Sequence, residues 1–199
     1  PCNSFYATAG AIVAVGATPV FCDVDARYQV DVEDMASRIT PKTKAIVPVH
    51  LFGQCADMEA ILKIAEAHNL YVIEDNAQAI GAIYTASDGS KTKAGNIGHV
   101  ASTSFFPSKN LGCYGDGGAI FTNDDDLAHT IRGIVNHGMY KRYHHDVVGV
   151  NSRLDSIQAA VLDAKLPRLD AYNKARRDSA RKYNSAFRNH PNISVPRAG

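Results

Sequence analysis

Hydrophobic positions recur along the chain in two alternating rhythms. Met58 to His68 sets Ile61, Leu62, Ile64 and Ala65 at helical spacing, which predicts an amphipathic helix. The run that follows, Leu70-Tyr71-Val72-Ile73-Glu74, is short and apolar, as a buried strand requires. Ala9 to Val15 reads as a short helix stopped by Gly16, with Thr18 to Val24 as the strand behind it. Val32 to Ile39 has helical spacing and precedes a strand from Ala45 to Val49. Ala101 to Phe105 and Gly118 to Thr122 predict two strands flanking a turn, and Asp124 to Val135 a helix capped by Asn123 or Asp124. Tyr140 to Val150 is polar, aromatic and histidine-rich and reads as an extended loop that can reach a neighbour. From Leu154 to about Arg188 the pattern is helical, and Pro167 ends or kinks one helix before the next begins. Strands alternating with helices predict an α/β fold whose sheet is largely parallel and covered on both faces.

Composition narrows the function classes. With 45% hydrophobic and 21% charged residues, the chain has the makeup of a globular protein able to bury a core. A net charge of +1 carries no nucleic-acid footprint. Arg176, Arg177, Arg181 and Lys182 cluster, yet with Asp178 among them they read as a solvated helix face. No run reaches the roughly 18 apolar residues of a membrane span and no leader pattern opens the chain, so the expectation is a cytoplasmic protein with no membrane partner. Cys2, Cys22, Cys55 and Cys113 are widely spaced, without a Cys-x-x-Cys pair, and imply neither a metal site nor a disulfide framework. Cys113 reads as a small packing residue in a glycine-rich turn.

The candidate chemistry lies in two segments. Lys109 sits in Ser104-Phe105-Phe106-Pro107-Ser108-Lys109-Asn110-Leu111-Gly112, ahead of Gly115-Asp116-Gly117-Gly118. An amine is nucleophilic toward carbonyls only when it loses its proton near neutral pH, and the apolar Phe105, Phe106 and Leu111 are a setting for that. In the second segment, Val72-Ile73-Glu74-Asp75-Asn76-Ala77-Gln78, an apolar strand ends in acidic and amide residues. Ligands of open α/β sheets lie beyond the carboxyl ends of the strands, where Asp75 and Gln78 are expected. A lysine paired with an aspartate is what pyridoxal phosphate requires, one to bond its aldehyde and one to keep its pyridine nitrogen protonated.

Together with these, Asn3 to Thr8, Gly16 to Asp25, Pro48-Val49-His50-Leu51-Phe52-Gly53-Gln54 and Asn151 to Ala160 resemble the DegT/DnrJ/EryC1/StrS sugar aminotransferases over nearly the whole chain. The resemblance implies a fold-type I aminotransferase large domain, with pyridoxal 5'-phosphate as cofactor. It implies that Lys109 carries the cofactor covalently and then serves as the base. Asp75 would pair with the pyridine nitrogen, Gln78 bond the phenolic oxygen, Phe5 stack on the ring and Ser104 contact the phosphate. Asn151 would reach the phosphate from the partner subunit of a homodimer. Tyr143, His144 and His145 fall where relatives line the sugar-nucleotide side of the pocket, and no metal is implied. Asn76 stands where small residues are common, and its amide either meets the cofactor or caps the turn.

By the same resemblance, glutamate donates an amino group to a nucleotide-linked keto-sugar in surface polysaccharide biosynthesis. The Lys109 run is most similar to members acting at C3 of a UDP-hexuronate, with a dTDP-3-keto-6-deoxyhexose as alternative substrate. Retention of the lysine favours amino transfer over the dehydratase subgroup, where histidine replaces it. Relatives also carry an earlier phosphate-binding segment and a small carboxy-terminal domain. Residues 1–165 are therefore expected to be a cofactor-binding domain lacking its amino-terminal part, and residues 166–199 the helical start of the connection to a small domain that is largely missing. A non-catalytic nucleotide-binding regulatory module stands as a second reading. A dinucleotide oxidoreductase is disfavoured, because no Gly-x-Gly-x-x-Gly follows the first strand.

Overall fold

The computed structural model describes residues 1–197. Its elements in chain order are α1 (Tyr6–Ala14), α2 (Val32–Ser37), β1 (Ala45–Ile46), α3 (Met58–His68), β2 (Tyr71–Asp75), β3 (Ile83–Thr85), β4 (Lys91–Lys93), β5 (Val100–Ser104) and β6 (Gly118–Phe121). They continue with α4 (Asp125–Val135), β7 (Met139–Lys141), β8 (His144–His145), α5 (Ser156–Lys165) and α6 (Leu169–Phe187). The expected α/β architecture is present. β1, β2 and β5 lie side by side and parallel, and β6 closes the sheet antiparallel to β5.

Local chemistry explains the helix starts. Asp31, Asp57 and Asp124 each turn a carboxylate back onto backbone N–H groups of the first turn, satisfying donors that have no partner within the helix. Asp124, not Asn123, is thus the cap of α4. α3 ends at Asn69 in the left-handed conformation, a position asparagine tolerates well. Its buried Met58, Ile61 and Ala65 pack with Ile46 of β1 and Val72 of β2 in one cluster. A second cluster joins Phe105, Leu111 and Cys113 to Leu162 of α5 and Leu169 of α6.

Three expectations need correction. Thr18 to Val24 is not a strand of the sheet: Cys22 O accepts from Cys2 N–H and Asp23 O from Asp31 N–H, and only Val24 forms a bridge, to Val30. Tyr140 to Val150 is not wholly loop, since β7 and β8 pair within it around Tyr143, whose φ of 65° permits the tight turn. The strand from Ala45 stops at Ile46, although Val49 bridges in parallel to Asp75 and the Asp75 N–H reaches Pro48 O. The β3–β4 hairpin had no counterpart among the expected elements. Among the described residues, no helix is long and apolar enough to cross a membrane.

The pleat of β2 sends neighbouring carboxylates to opposite faces. Glu74 is fully buried, and its two oxygens take N–H donors from Gly95, Ile97 and Gly98 at 2.6–2.8 Å as well as His50 Nε2 at 2.8 Å. The Ala56 N–H donates to Nδ1 of the same imidazole, which puts the ring proton on Nε2, facing Glu74. Burial pushes the Glu74 carboxyl up, but the bonds from His50, Gly98, Gly95 and Ile97 outweigh it and hold the group below its ordinary value of 4.5. The folded state thus favours the ionised form, so this stabilisation is present above the ordinary carboxyl pKa and fades as acid titrates the folded group. Glu74→Gln is expected to cost about 2–4 kcal/mol at neutral pH and to flatten the acid side of the stability profile. Denaturant unfolding across pH reads both effects, and a loss under about 1 kcal/mol with an unchanged acid limb would remove this role from Glu74.

Candidate active site

The other face of the same strands opens on a cavity of about 840 Å³. Ile73 and Asp75 of β2, Ser102 and Ser104 of β5, and Val47 and Val49 form its floor, and Ala7, Thr8, Ala11 and Ile12 of α1 form a wall. α1 buries no residue within the chain, and its small and branched apolar side chains make the wall predominantly non-polar. Of the residues singled out in the sequence, Phe5, Asp75, Gln78, Ser104 and Lys109 all line this one cavity.

Asp75 is held at both oxygens. Thr8 Oγ1 donates to Oδ2 at 2.6 Å and the Ala77 N–H donates to Oδ1 at 3.1 Å, so α1 and the strand end jointly orient the carboxylate. Gln78 is oriented just as definitely: its Oε1 accepts from the Phe52 N–H at 2.9 Å. Its NH2 group is left as the available donor. Phe52 and Gly53 reach this arrangement with φ of 59° and 83°, which accounts for a glycine in the turn. Ser104 Oγ accepts from the Phe106 N–H at 3.2 Å and keeps its own hydroxyl hydrogen to donate.

Lys109 stands on a turn in which its N–H donates to Phe106 O at 2.8 Å. Its side chain is half-buried, and among the described residues no group hydrogen-bonds or ion-pairs with its amine. The turn is braced from outside. Lys165 Nζ donates to Gly112 O, Arg176 Nη2 to Ser108 O at 3.2 Å, and Asn110 Nδ2 to Asn173 Oδ1 at 2.5 Å. Arg176 therefore does more than solvate a helix face. Arg177, Arg181 and Lys182 are exposed, with Asp178 paired to Lys174 and Arg181. Cys113 is buried, with the Sγ of its single S–H lying 3.0 Å from both Phe105 O and Gly115 O, the packing role expected of it.

Asn151, Tyr143, His144 and His145 lie outside this cavity and are exposed. Asn151 bridges to Asn136, and His145 bonds His137 O across the β7–β8 hairpin. Asn76 turns away from the cavity: its Nδ2 donates to Ala94 O on the face shared with Glu74. Thr8 and Asp116 on the cavity wall had no assigned role. Thr8 was legible only as one letter of the Asn3 to Thr8 motif, because nothing in that motif discloses a partner 67 residues away.

The model of the DegT/DnrJ/EryC1/StrS aminotransferase family matches residues 1–198. The chain is 53% identical over 175 residues to the UDP-2-acetamido-2-deoxy-3-oxo-D-glucuronate aminotransferase of Pseudomonas aeruginosa, covering 87% of this chain and 46% of that protein. It is 52% identical over 181 residues to the pleiotropic regulatory protein of Geobacillus stearothermophilus, covering 90% and 47%. The crystal structure of S. venezuelae DesV in complex with a ketimine intermediate superposes with a TM-score of 0.94 at 41% identity, covering all of this chain and 53% of that one. The chain thus spans about half the length of the curated relatives it matches.

The turn also supplies a test of its packing. A Cβ on Gly112 would overlap the carbonyl oxygens of Pro107 and Phe106, backbone atoms that cannot swing aside. Gly112→Ala should cost about 1–3 kcal/mol in denaturant unfolding. A variant as stable as wild type would show that the Lys109 turn is looser than this packing requires.

Proposed function

The chain belongs to the DegT/DnrJ/EryC1/StrS aminotransferase family, and on that premise we propose that the protein moves an amino group from glutamate to a nucleotide-linked keto-sugar with pyridoxal 5'-phosphate as cofactor. The observation that carries this reading is that a half-buried amine, Lys109, with no partner among the described residues, and an oriented carboxylate, Asp75, open on one cavity. The residues around that cavity fit the cofactor's donor and acceptor pattern. Bound there, the cofactor supplies an aldehyde to carry the amino group and a ring that accepts electrons.

The chain's own groups divide the remaining work. Asp75 would set its carboxylate beside the pyridine nitrogen, where a negative charge would raise that nitrogen's basicity and hold its proton. Gln78 would donate from Nε2 to the phenolic oxygen, since the Phe52 N–H has already taken Oε1. Ser104 would donate its hydroxyl to the phosphate, and Phe5, 71% exposed, would offer its ring to the cofactor face. With the cofactor bound, Lys109 Nζ would be the amine that holds it and, when free, the base placed to take a proton from the donor's α-carbon.

The finer assignment is amination at C3 of a UDP-hexuronate in surface polysaccharide biosynthesis. It is supported by the 53% identity to a protein named for a 3-oxo-glucuronate substrate. A dTDP-3-keto-6-deoxyhexose is the alternative acceptor. We read residues 1–165 as the cofactor-binding unit and residues 166–199 as the start of the connection to a smaller domain, a division supported by the break in helix at Leu166–Arg168. A cytoplasmic homodimer completes the reading. Asn151, Tyr143, His144 and His145 are exposed and outside their own chain's cavity, which suits residues that serve a partner's.

Purified with pyridoxal phosphate, the protein should absorb as a yellow species, and borohydride should fix a pyridoxyl group on Lys109 detectable by peptide mass. Lys109→Ala should lose the label and on the order of 100-fold or more in turnover. Label on a different lysine would overturn the assignment, and a protein that binds no cofactor would favour the regulatory reading suggested by the Geobacillus relative's name. Asp75→Asn keeps the shape without the charge and should lower the rate with glutamate by roughly tenfold or more, the equivalent of a pKa unit at the ring nitrogen. Parallel assays of UDP-linked and dTDP-linked 3-keto-sugars decide the acceptor, and turnover of neither would sink the substrate claim.

A further inference from the structure

α6 is a long polar helix with only two buried residues, Leu169 and Asn173. Asn173 is 7% exposed and packs beside Gly81, where an added Cβ would come within 2.8 Å of its Nδ2. Both ends of its amide are used. Nδ2 donates to Ile80 O at 3.0 Å, and Oδ1 accepts from Asn110 Nδ2 at 2.5 Å. Ile80 lies two residues beyond Gln78 on the loop leaving Asp75, and Asn110 adjoins Lys109. One buried side chain therefore ties the carboxylate-bearing loop to the amine-bearing turn.

We propose that Asn173 is a positioning residue that fixes the placement of Lys109 relative to Asp75 and Gln78. This rests on the reading of Lys109 as the reacting amine. The position needs a donor and an acceptor about one amide apart. Aspartate lacks the donor, and leucine, though similar in size, lacks both. Hydrogen bonds in a buried setting are strong when made and costly when left unmade, so the tie resists slippage between the two loops. The neighbouring contacts from Lys165 to Gly112 O and from Arg176 to Ser108 O hold only the lysine turn. Among these three, Asn173 alone also holds the other loop.

The test uses Asn173→Leu, Asn173→Asp and Asn110→Ala in the cofactor-loaded protein. Each is expected to slow the single-turnover reaction with glutamate on the order of tenfold while the KM for glutamate changes little, since reacting atoms are misplaced without removal of a substrate contact. Each should also move the pH midpoint of the bound cofactor's absorbance, a signature that mere loss of stability does not produce. In the cofactor-free protein, hydrogen exchange should rise together in residues 79–82 and 108–112. Asn110→Ala breaks the same tie from its half-buried end, so a variant of Asn173 that fails to fold leaves the question decidable. Wild-type rates and absorbance titration in Asn110→Ala and Asn173→Leu would overturn the proposal, as would exchange rising in only one segment. Should wild type bind no cofactor, the aminotransferase reading fails by that result, while paired exchange in the free protein still reports whether the tie exists.

Discussion

Two adjacent carboxylates on one strand meet opposite fates, and the site depends on the difference. The period of two along β2 drives Glu74 into the side covered by the 94–98 loop and leaves Asp75 facing the cavity. Glu74 accepts from three backbone N–H groups and an imidazole, so its charge is satisfied internally and serves to pin the strand end to the segments around His50 and Gly95. Among the described residues Asp75 receives two donors, which fix its orientation and leave lone pairs for a ligand. A slip of one residue in register would bury Asp75 and present Glu74, and the bridge from Val49 to Asp75 opposes such a slip.

The parallel pairing of β2 with β5 brings the second half of the chemistry alongside the first. Asp75 stands in register with Ser102, so Ser104, one step further along the same face, emerges beside the strand end that carries Asp75. This is the general behaviour of open α/β sheets, whose ligands lie beyond the carboxyl ends of adjacent strands. The antiparallel β6 is not a departure without purpose. By returning directly beside β5, with Ser104 opposite Gly118, it confines the lysine turn to an excursion that begins and ends at one point of the sheet.

Much of this was legible in the sequence where the signal was local. α3 has the bounds its apolar spacing indicated, and the cap of α4 is Asp124, one of the two candidates the sequence offered. The catalytic candidate Lys109 and the cofactor-binding candidates Asp75, Gln78, Ser104 and Phe5 converge on one cavity. What the sequence concealed were contacts made over distance. Thr18 to Val24 has a strand's composition, but its backbone groups are taken by Cys2 and Asp31, leaving Val20 and Phe21 exposed and no ladder to join. Thr8 on Asp75, His50 on Glu74 and Asn173 on Ile80 are each single polar letters whose partners lie 67, 24 and 93 residues away. α1 was placed three residues late, since a helix that is apolar all round gives no periodic stripe to mark where it begins.

The lysine turn shows why such distant contacts are needed. A segment that leaves and re-enters the sheet at adjacent points closes at modest entropic cost, but its tip has no ladder to lean on. Internal bonds fix its base: the Phe105 N–H reaches Gly117 O, and the Cys113 N–H reaches Phe105 O. Gln158 of α5 then caps the far side by accepting from the Tyr114 and Gly115 N–H groups. The remaining stretch, Ser108 to Gly112, carries Lys109, and it is the part gripped by Lys165, Asn173 and Arg176. Every grip falls on a backbone carbonyl or on Asn110, and none on the Lys109 side chain. The turn is therefore held rigid while its amine stays uncommitted, the combination a nucleophile requires.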